Sequence, residues 1–117
     1  MNEKMVLRRG DVVIVRFDPA EGHEMKKTRP AVVVQNDIGN ENSNTTIVAP
    51  VTGTYRGYPF EVLVKAPESP IEKDSSIRLD QVRVVSTDNR IHSVAGSLDT
   101  ETMEAIDDAL KLSLGLD

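Results

Sequence analysis

The segment from Asp18 to Gln35, with the sequence DPAEGHEMKKTRPAVVVQ, holds most of the residues that could carry chemistry. Seven of the ten residues 21–30 are charged or can form hydrogen bonds, so this part is expected to be a mobile loop. The loop ends at Arg29, because the following proline holds that residue extended and a run of three valines then predicts a buried strand. A guanidinium at this boundary, under a loop with Lys26 and Lys27, can bind a planar anion such as a phosphate. A surface ion pair is the commoner role of such an arginine, and charge and position alone do not exclude it.

Cleavage of a phosphodiester bond in RNA needs few protein groups. The neighbouring 2′-hydroxyl is already in place as the nucleophile, so a protein has only to orient it, neutralise the crowded phosphorane and manage protons. One arginine and one hydroxyl can do this. Arg29 and Thr52 each lie at the end of a predicted strand and beside a loop, and they form such a pair if the fold brings those strand ends together.

Other catalytic and metal sites lack support in the sequence. The two histidines, His23 and His92, are far apart, and the adjacent acids Asp107 and Asp108 have no partners at a metal-ligand spacing. There is no cysteine nucleophile, no GxSxG motif and no Gly-rich phosphate loop, so the usual hydrolase, kinase and NTPase signatures are missing. We therefore expect no metal and no cofactor, and we expect His23, a single loop histidine, to be solvated.

Length and composition indicate the class of protein. At 117 residues the chain is expected to be a single domain, residues 1–117, with one modest core. Two Phe, two Tyr and no Trp leave Val, Ile and Leu to build that core, which favours strands. The lack of cysteine, of a signal peptide and of a long apolar run predicts a cytoplasmic protein that does not cross a membrane.

The net charge of −5 is concentrated at one end of the chain. Residues 99–117 contain six acids and one base, which accounts for the whole excess and leaves the other 98 residues neutral. An acidic C-terminal segment is compatible with a locally basic site elsewhere, so the low pI does not exclude RNA as a ligand.

Apolar runs bounded by turn formers predict the strands. They are residues 12–17, 31–35, 45–51, 60–65, 75–79 and 81–85, the last two being either separate or one bent strand. Residues 1–9 are expected to be a loosely held start, residues 36–44 a turn and residues 86–96 irregular.

One helix is predicted near the end of the chain. Asp99 is a suitable N-cap, Glu101 and Glu104 place negative charge in the early turns, and Gly115 ends the apolar pattern. The apolar face is broader than a lone surface helix needs, which suggests a dimer or partner surface. Several short strands with one terminal helix predict a mostly-β (β+α) fold, a small SH3-like barrel with a C-terminal α-helix. An open antiparallel sheet with a helix on one face is the alternative.

Several motifs occur in an order that resembles a known family. The run RRGDVVIVRFDPAEGHEMKKTRPAVVVQND is similar to the amino-terminal half of the MazF/PemK toxin endoribonucleases, with its Gly-Asp strand start, G-x-E loop and Arg-Pro strand entry. Pro50-Val51-Thr52 resembles the family's threonine segment, RGYPFEV its next loop and strand, and DQVR its D/E-Q-[VI]-R element. The resemblance extends from about Arg9 to the C-terminal helix, so it covers nearly the whole chain.

This resemblance implies a fold, an activity and partners. Family members are small homodimeric barrels of the CcdB/MazF type that cut single-stranded RNA at short sequences without metal and leave a 2′,3′-cyclic phosphate. They are silenced by a cognate antitoxin whose disordered tail occupies the RNA groove. By this resemblance Arg29 stabilises the phosphorane and Thr52 hydrogen-bonds the scissile phosphate, and both are candidate catalytic residues.

Five further residues are candidates for binding the RNA. Glu24 matches the loop acid that the family needs for activity, where it orders the loop or contacts a base, and Gln81 matches a position that holds the groove or the dimer. Tyr58 can stack on a base, whereas the other aromatic rings fit apolar strand patterns better. Lys26 and Lys27 are expected to attract phosphates without sequence preference.

Two other functions fit the same fold. One is a binding module, either a gyrase-poisoning toxin similar to CcdB or a catalytically silent RNA binder. The CcdB-like option is weaker, because that group carries a tryptophan near the C-terminus and this chain has none. The other is a structural or regulatory interaction domain, which would leave Arg29 and Thr52 without a purpose.

Overall fold

A computed structural model describes residues 5–17, 28–65 and 73–116 of the chain. The elements in these residues are, in chain order, β1 (Asp11–Arg16), β2 (Thr28–Val33), α1 (Asp37–Asn42), β3 (Thr45–Thr52), β4 (Glu61–Val64), β5 (Ser75–Arg78), β6 (Arg83–Ser86), α2 (Thr87–Arg90), β7 (Ile91–Ser97) and α3 (Thr100–Leu114). No helix in the described residues is long and apolar enough to cross a membrane.

The strands pair antiparallel in the order β4-β5-β3-β2-β1-β7, and β6 also pairs with β3. β3 is the organising strand, because it has β2 on one side and both β6 and β5 on the other. Residues 45–48 of β3 pair with β6, whereas Val51 and Thr52 pair with β5. β3 therefore pairs with β6 along its first half and with β5 at its C-terminal end, so that end lies where the two parts of the sheet join.

The predicted mostly-β fold with a C-terminal helix is confirmed, but the sheet is not closed as a barrel would be. Among the described residues, β4 and β7 end the path of paired strands and do not pair with each other. α3 packs against β4 instead, and its buried Ile106 and Ala109 complete the core on that side. The helix thus covers apolar surface that strand closure would otherwise cover, as in the open-sheet alternative.

Two apolar clusters lie on opposite faces of the central strands. The first, here called the helix-side cluster, consists of Val12, Val32, Val34, Ala49, Val51, Val62, Val64, Ile77, Leu79, Ile106 and Ala109. The second, here called the opposite cluster, consists of Leu7, Val13, Val15, Ala31, Val33, Val48, Val85 and Ile91. Successive residues of a strand project to alternate faces, so continuous valine runs are what a strand buried on both sides requires.

The caps predicted for the terminal helix are confirmed. The Asp99 side chain accepts a hydrogen bond from the Thr102 N–H at 2.8 Å, and the hydrogen bonds to Thr102 lower the pKa of this carboxyl. At the other end Gly115 adopts φ 74°, where its N–H and that of Leu116 donate to carbonyls of the last turn. A residue with a Cβ is strained at this left-handed position, which is why glycine suits it.

The start of the described chain is held more firmly than predicted. Leu7 is 2 % exposed within the opposite cluster. Arg9 donates from Nε to the Val34 carbonyl at 2.8 Å and from a terminal nitrogen to Asp107 at 2.8 Å, so it connects the sheet to α3. The prediction of a loosely held start is therefore wrong for residues 5–9, because one leucine and one arginine anchor an otherwise polar run.

Two segments predicted to be irregular contain regular structure. Asn36 caps α1 by accepting from the Gly39 N–H at 2.7 Å, so residues 37–42 form a short helix within the predicted turn. Residues 87–97 form α2 and then β7, which pairs with β1 with two register shifts. Most of β7 is exposed at the edge of the sheet, so its sequence has no apolar alternation that would reveal a strand.

Candidate active site

The register between β2 and β3, extended beyond its last pair, sets Arg29 and Thr52 opposite each other. Ala31 pairs with Pro50 and Val32 with Ala49 in this antiparallel ladder. Both strands continue beyond these pairs, and extending the same register by two residues places Arg29 opposite Thr52. Directly opposed residues in such a pair project to the same face, with Cβ atoms about 4.5–5.5 Å apart.

The alternation of buried residues along each strand also assigns both side chains to the same face. Ala31 and Val33 of β2 belong to the opposite cluster, and Arg29 shares their alternation. Val48 of β3 belongs to that cluster too, and Thr52, four residues further on, shares its alternation. The two candidate catalytic residues therefore lie at one end of the opposite-cluster face, where the apolar surface gives way to polar groups.

Arg29 and Thr52 are both accessible there. Arg29 is exposed at the second residue of β2, directly after residues 18–27. Thr52 is half-buried at the last residue of β3, and its hydroxyl donates to the Thr54 carbonyl at 3.3 Å. A bond of this length is weak, so the hydroxyl can turn to a phosphate oxygen at little cost.

A polar row continues from Thr52 across the neighbouring strands. Ser76 of β5 lies opposite Thr52, and Arg78, two residues further, lies opposite Glu61 of β4. Arg78 forms a two-pronged ion pair with Asp80, at 2.9 and 2.7 Å, which lowers the pKa of the Asp80 carboxyl and raises that of the guanidinium. Arg78 is therefore largely neutralised, whereas Arg29 lies in the same face with its guanidinium exposed.

Glu61, which lies opposite Arg78 in this row, is a buried acid. Its side chain is 0 % exposed, and one carboxylate oxygen accepts hydrogen bonds from the N–H groups of Arg56 and Tyr58, at 3.0 and 3.1 Å. Burial raises the pKa of this carboxyl, but these two hydrogen bonds, the Ser76 hydroxyl and the Arg78 charge together outweigh burial and lower it. Glu61 is therefore a buried carboxylate, held charged by backbone donors.

Two further arginines surround the end of β1. The Arg83 guanidinium lies over the Phe17 ring, 5.1 Å from its centroid, and is 3.5 Å from the Phe17 carbonyl. Arg90 is 3.5 Å from the Arg16 carbonyl. Arg83 is paired with Val48 of the opposite cluster, so it shares a face with Arg29. Arg29 and Arg83, on the two strands that flank β3, thus place positive charge on this face, although the whole chain is acidic.

The other residues that the sequence predicts to bind RNA lie in different parts of the chain. Tyr58 is 46 % exposed, and its ring stacks on that of Phe60 with centroids 5.1 Å apart, next to Glu61. Gln81 is exposed in the turn between β5 and β6, outside the row that contains Arg29 and Thr52. Glu24, Lys26 and Lys27 lie outside the described residues.

Within the part of the chain that the structure describes, no three His, Cys, Asp or Glu side chains are grouped closely enough to hold a metal ion.

Sequence reasoning missed the ionic cluster of Glu61, Arg78 and Asp80. Arg78 and Asp80 are two residues apart, the spacing of side chains on one face of a strand, so that pair could have been found. Glu61 could not, because the alternation of residues 60–65 predicts a half-exposed strand, whereas in the structure the acid is buried opposite Arg78 of β5 and binds the loop of residues 56–58. Its partners become visible only with the register of those strands.

Comparisons with known proteins agree on one group. Residues 8–114 match the family described as PemK-like, MazF-like toxin of type II toxin-antitoxin system. Endoribonuclease EndoA of Bacillus subtilis (strain 168) is 39% identical over 114 residues, which cover 96% of this chain and 97% of that protein. A MazE-MazF structure from Deinococcus radiodurans has a TM-score of 0.79 at 26% identity, covering 97% of this chain and 99% of that one. A mycobacterial endoribonuclease in complex with its cognate antitoxin shares the fold, with a TM-score of 0.79 at 23% identity over 95% of this chain and 97% of that one.

Acid should remove the contribution of Glu61 to stability. Because folding lowers its pKa below the ordinary value of 4.5, the carboxylate stabilises the folded state above that pH, and this contribution is lost as the pH falls through the lower folded value. We expect urea unfolding near neutral pH to give a larger free energy of unfolding for the wild type than for Glu61→Gln, and the difference to shrink below about pH 4.5. Glu104→Gln, at an exposed position, is the matched control. A difference that stays constant with pH would contradict the assignment.

Proposed function

Because this chain belongs to the family of PemK-like, MazF-like toxins of type II toxin-antitoxin systems, we propose that it is a toxin endoribonuclease that cleaves single-stranded RNA. The observation that supports the proposal is the β2–β3 register, which would set Arg29 opposite Thr52 on one face when it is extended two residues beyond the pair of Ala31 and Pro50. The name and close similarity of the Bacillus subtilis relative support the same activity. A cytoplasmic site of action follows from the proposal, because the messenger RNA that such an enzyme cleaves is found in the cytoplasm.

The reaction uses the RNA's own nucleophile. The 2′-oxygen attacks the adjacent phosphorus and loses its proton, the bond from phosphorus to the 5′-oxygen breaks, and that oxygen takes up a proton. The products are a 2′,3′-cyclic phosphate and a 5′-hydroxyl end. Arg29 neutralises the charge that grows on the phosphorane, and its planar fork suits two phosphate oxygens at once. The Thr52 hydroxyl donates to a non-bridging oxygen and fixes the phosphate for in-line attack.

Binding of the flanking RNA falls to residues around this pair. Tyr58 offers an exposed ring, already held by Phe60, on which a base can stack. Lys26 and Lys27 attract phosphates, and Glu24 orders their loop or contacts a base. Gln81 is assigned to holding the groove or the dimer. The positive charge along β3 extends the path for the RNA backbone beyond the cleavage site.

The partners follow from the family and from the surface of α3. Structures similar to this chain include MazE-MazF complexes from Deinococcus radiodurans, and we assign a cognate antitoxin to this protein on that basis. Ile106 and Ala109 of α3 face the core, but Leu112 and Leu114 are each 54 % exposed. Apolar side chains left outside the core favour a further contact, and we assign them to a homodimer.

Removal of Arg29 should abolish cleavage. Incubation of the wild type with a long RNA in EDTA should give defined cuts with 5′-hydroxyl ends, detected by end mapping and by direct labelling with a kinase. Arg29→Ala should lower the cleavage rate about 100- to 1,000-fold, because the phosphorane loses its main charge partner. Arg8→Ala removes an exposed arginine elsewhere and should cleave normally. Intact RNA with the wild type would contradict the proposed function.

Removal of the Thr52 hydroxyl should weaken cleavage and leave the fold intact. A lost hydrogen bond to a charged phosphate costs about 1.5–3 kcal/mol, or roughly 10- to 100-fold in rate, so Thr52→Ala should fall in that range. Thr45→Ala changes an exposed threonine at the other end of the same strand and should cleave normally. Thermal unfolding checks the fold. A comparable fall in stability for Thr52→Ala alone would argue against a catalytic role.

The homodimer is expected in solution. Sedimentation equilibrium at micromolar concentration should give twice the chain mass of 12.9 kDa. Leu112→Glu should shift the protein towards the monomer, because it places a charge in the assigned contact, whereas Glu104→Gln on the same helix should not. A monomeric wild type would refute the dimer. A dimer unaffected by Leu112→Glu would move the interface away from α3.

A further inference from the structure

We propose that Glu61 is a positioning residue for the cleavage site, which sets the Thr52 hydroxyl by holding the loop of residues 53–60. This inference rests on the proposed function and extends it to a buried acid that does not touch the RNA. It starts from the unusual environment of Glu61. Among the described residues, Glu61 is the one buried acid. Burial of a carboxylate is costly unless hydrogen bonds or an opposite charge compensate for the loss of water.

The first step is the attachment of the loop to Glu61. One carboxylate oxygen accepts from the N–H groups of Arg56 and Tyr58, at 3.0 and 3.1 Å, and the Glu61 N–H donates to the Tyr58 carbonyl at 3.0 Å. Three hydrogen bonds thus tie residues 56–58 to the first residue of β4. Without this acceptor, two backbone donors of the loop would lose their partner inside the protein.

The second step is the attachment of the loop to Thr52. In the RNA-free protein the Thr52 hydroxyl donates to the Thr54 carbonyl at 3.3 Å, so the loop sets its resting orientation, from which it turns to donate to the phosphate. Thr54 is two residues before Arg56, whose N–H is bound by Glu61. A displacement of the Glu61 carboxylate would therefore move the backbone of residues 54–56, and with it the carbonyl that the Thr52 hydroxyl contacts.

The third step concerns the other carboxylate oxygen. Oε2 of Glu61 faces the Ser76 hydroxyl and lies 3.7 Å from the Arg78 Nε, but neither Oε2 nor the Ser76 Oγ has a hydrogen-bond partner of good geometry. This imperfect pairing gives up part of the stability that the carboxylate could contribute, since a buried polar atom without a good partner costs free energy. An acid retained at this cost, one strand away from Ser76 and two from Thr52, fits a role in the site better than a role in the core.

Position, rather than charge, should therefore decide the effect of a substitution. Glu61→Asp keeps the charge but withdraws the carboxylate by one methylene, so it should release the Arg56 and Tyr58 N–H groups. Glu61→Gln loses the charge but keeps an oxygen that can accept from both, and its amide nitrogen can donate to the unpartnered Ser76 hydroxyl. We expect Glu61→Asp to lower the single-turnover cleavage rate about tenfold and Glu61→Gln to recover most of that loss.

The order of the loop can be measured directly. The chain has no Trp and two Tyr, and both tyrosines, Tyr55 and Tyr58, lie in residues 53–60. Intrinsic tyrosine fluorescence of the RNA-free protein therefore reports on this loop alone. Glu61→Asp should lower the anisotropy and increase acrylamide quenching, and Glu61→Gln should resemble the wild type. Asn40→Ala, which removes a buried polar side chain distant from the loop, controls for general loss of stability and should change neither fluorescence nor cleavage.

A double-mutant cycle separates positioning from a general effect. In a Thr52→Ala background, Glu61→Asp should change the cleavage rate less than about twofold, because the group on which it acts is gone. Equal effects in both backgrounds, or a wild-type fluorescence signal in Glu61→Asp, would overturn the inference. An inactive wild type would instead refute the proposed function, and the fluorescence comparison would still decide whether Glu61 orders the loop.

Discussion

Backbone pairing between β2 and β3 determines which side chains of this protein can act together. Arg29 and Thr52 are separated by 22 intervening residues in the chain, and only the ladder that joins Ala31 to Pro50 brings them opposite each other. A slip of one residue would turn either side chain to the helix-side cluster and bury it among valines. The packing on both faces opposes such a slip, since every residue of β2 and β3 that changed face would have to be repacked. The apolar core is therefore what secures the geometry of the polar site.

The face that carries the site combines three kinds of charge environment. Arg29 is exposed, Arg78 is neutralised by Asp80, and Glu61 is buried below the loop that follows β3. This division leaves Arg29 exposed on the face that also carries the threonine, while Arg78, Asp80 and Glu61 pair with groups of the framework around it. It also explains how an acidic protein can attract RNA, because the acids of α3 lie on a different part of the surface from the arginines along β3.

How far the sequence predicts this structure depends on whether the signal is local. Asp99 and Gly115 mark the ends of α3 by their own chemistry, and the valine runs mark the central strands, so these elements could be predicted. β7 could not, because its exposed residues carry no alternation and its conformation comes from pairing with β1. In the site, Arg29 and Thr52 could be chosen by residue type and by resemblance to the family. Their placement opposite each other depends on the register between β2 and β3, which the sequence does not reveal. Glu61 was missed for the same reason, since its partners come from the paired strand β5 and from the loop of residues 56–58.

The position of α3 in the chain has a consequence for synthesis of the protein. Ile106 and Ala109 fill the helix-side cluster, yet they are made after all seven strands of the described fold. Until they emerge from the ribosome, the apolar surfaces of β3, β4 and β5 have no cover, and Arg9 lacks its ionic partner on the helix. Cooperative folding therefore waits until α3 has been made, and the nascent sheet without this helix is the stage most exposed to misassembly.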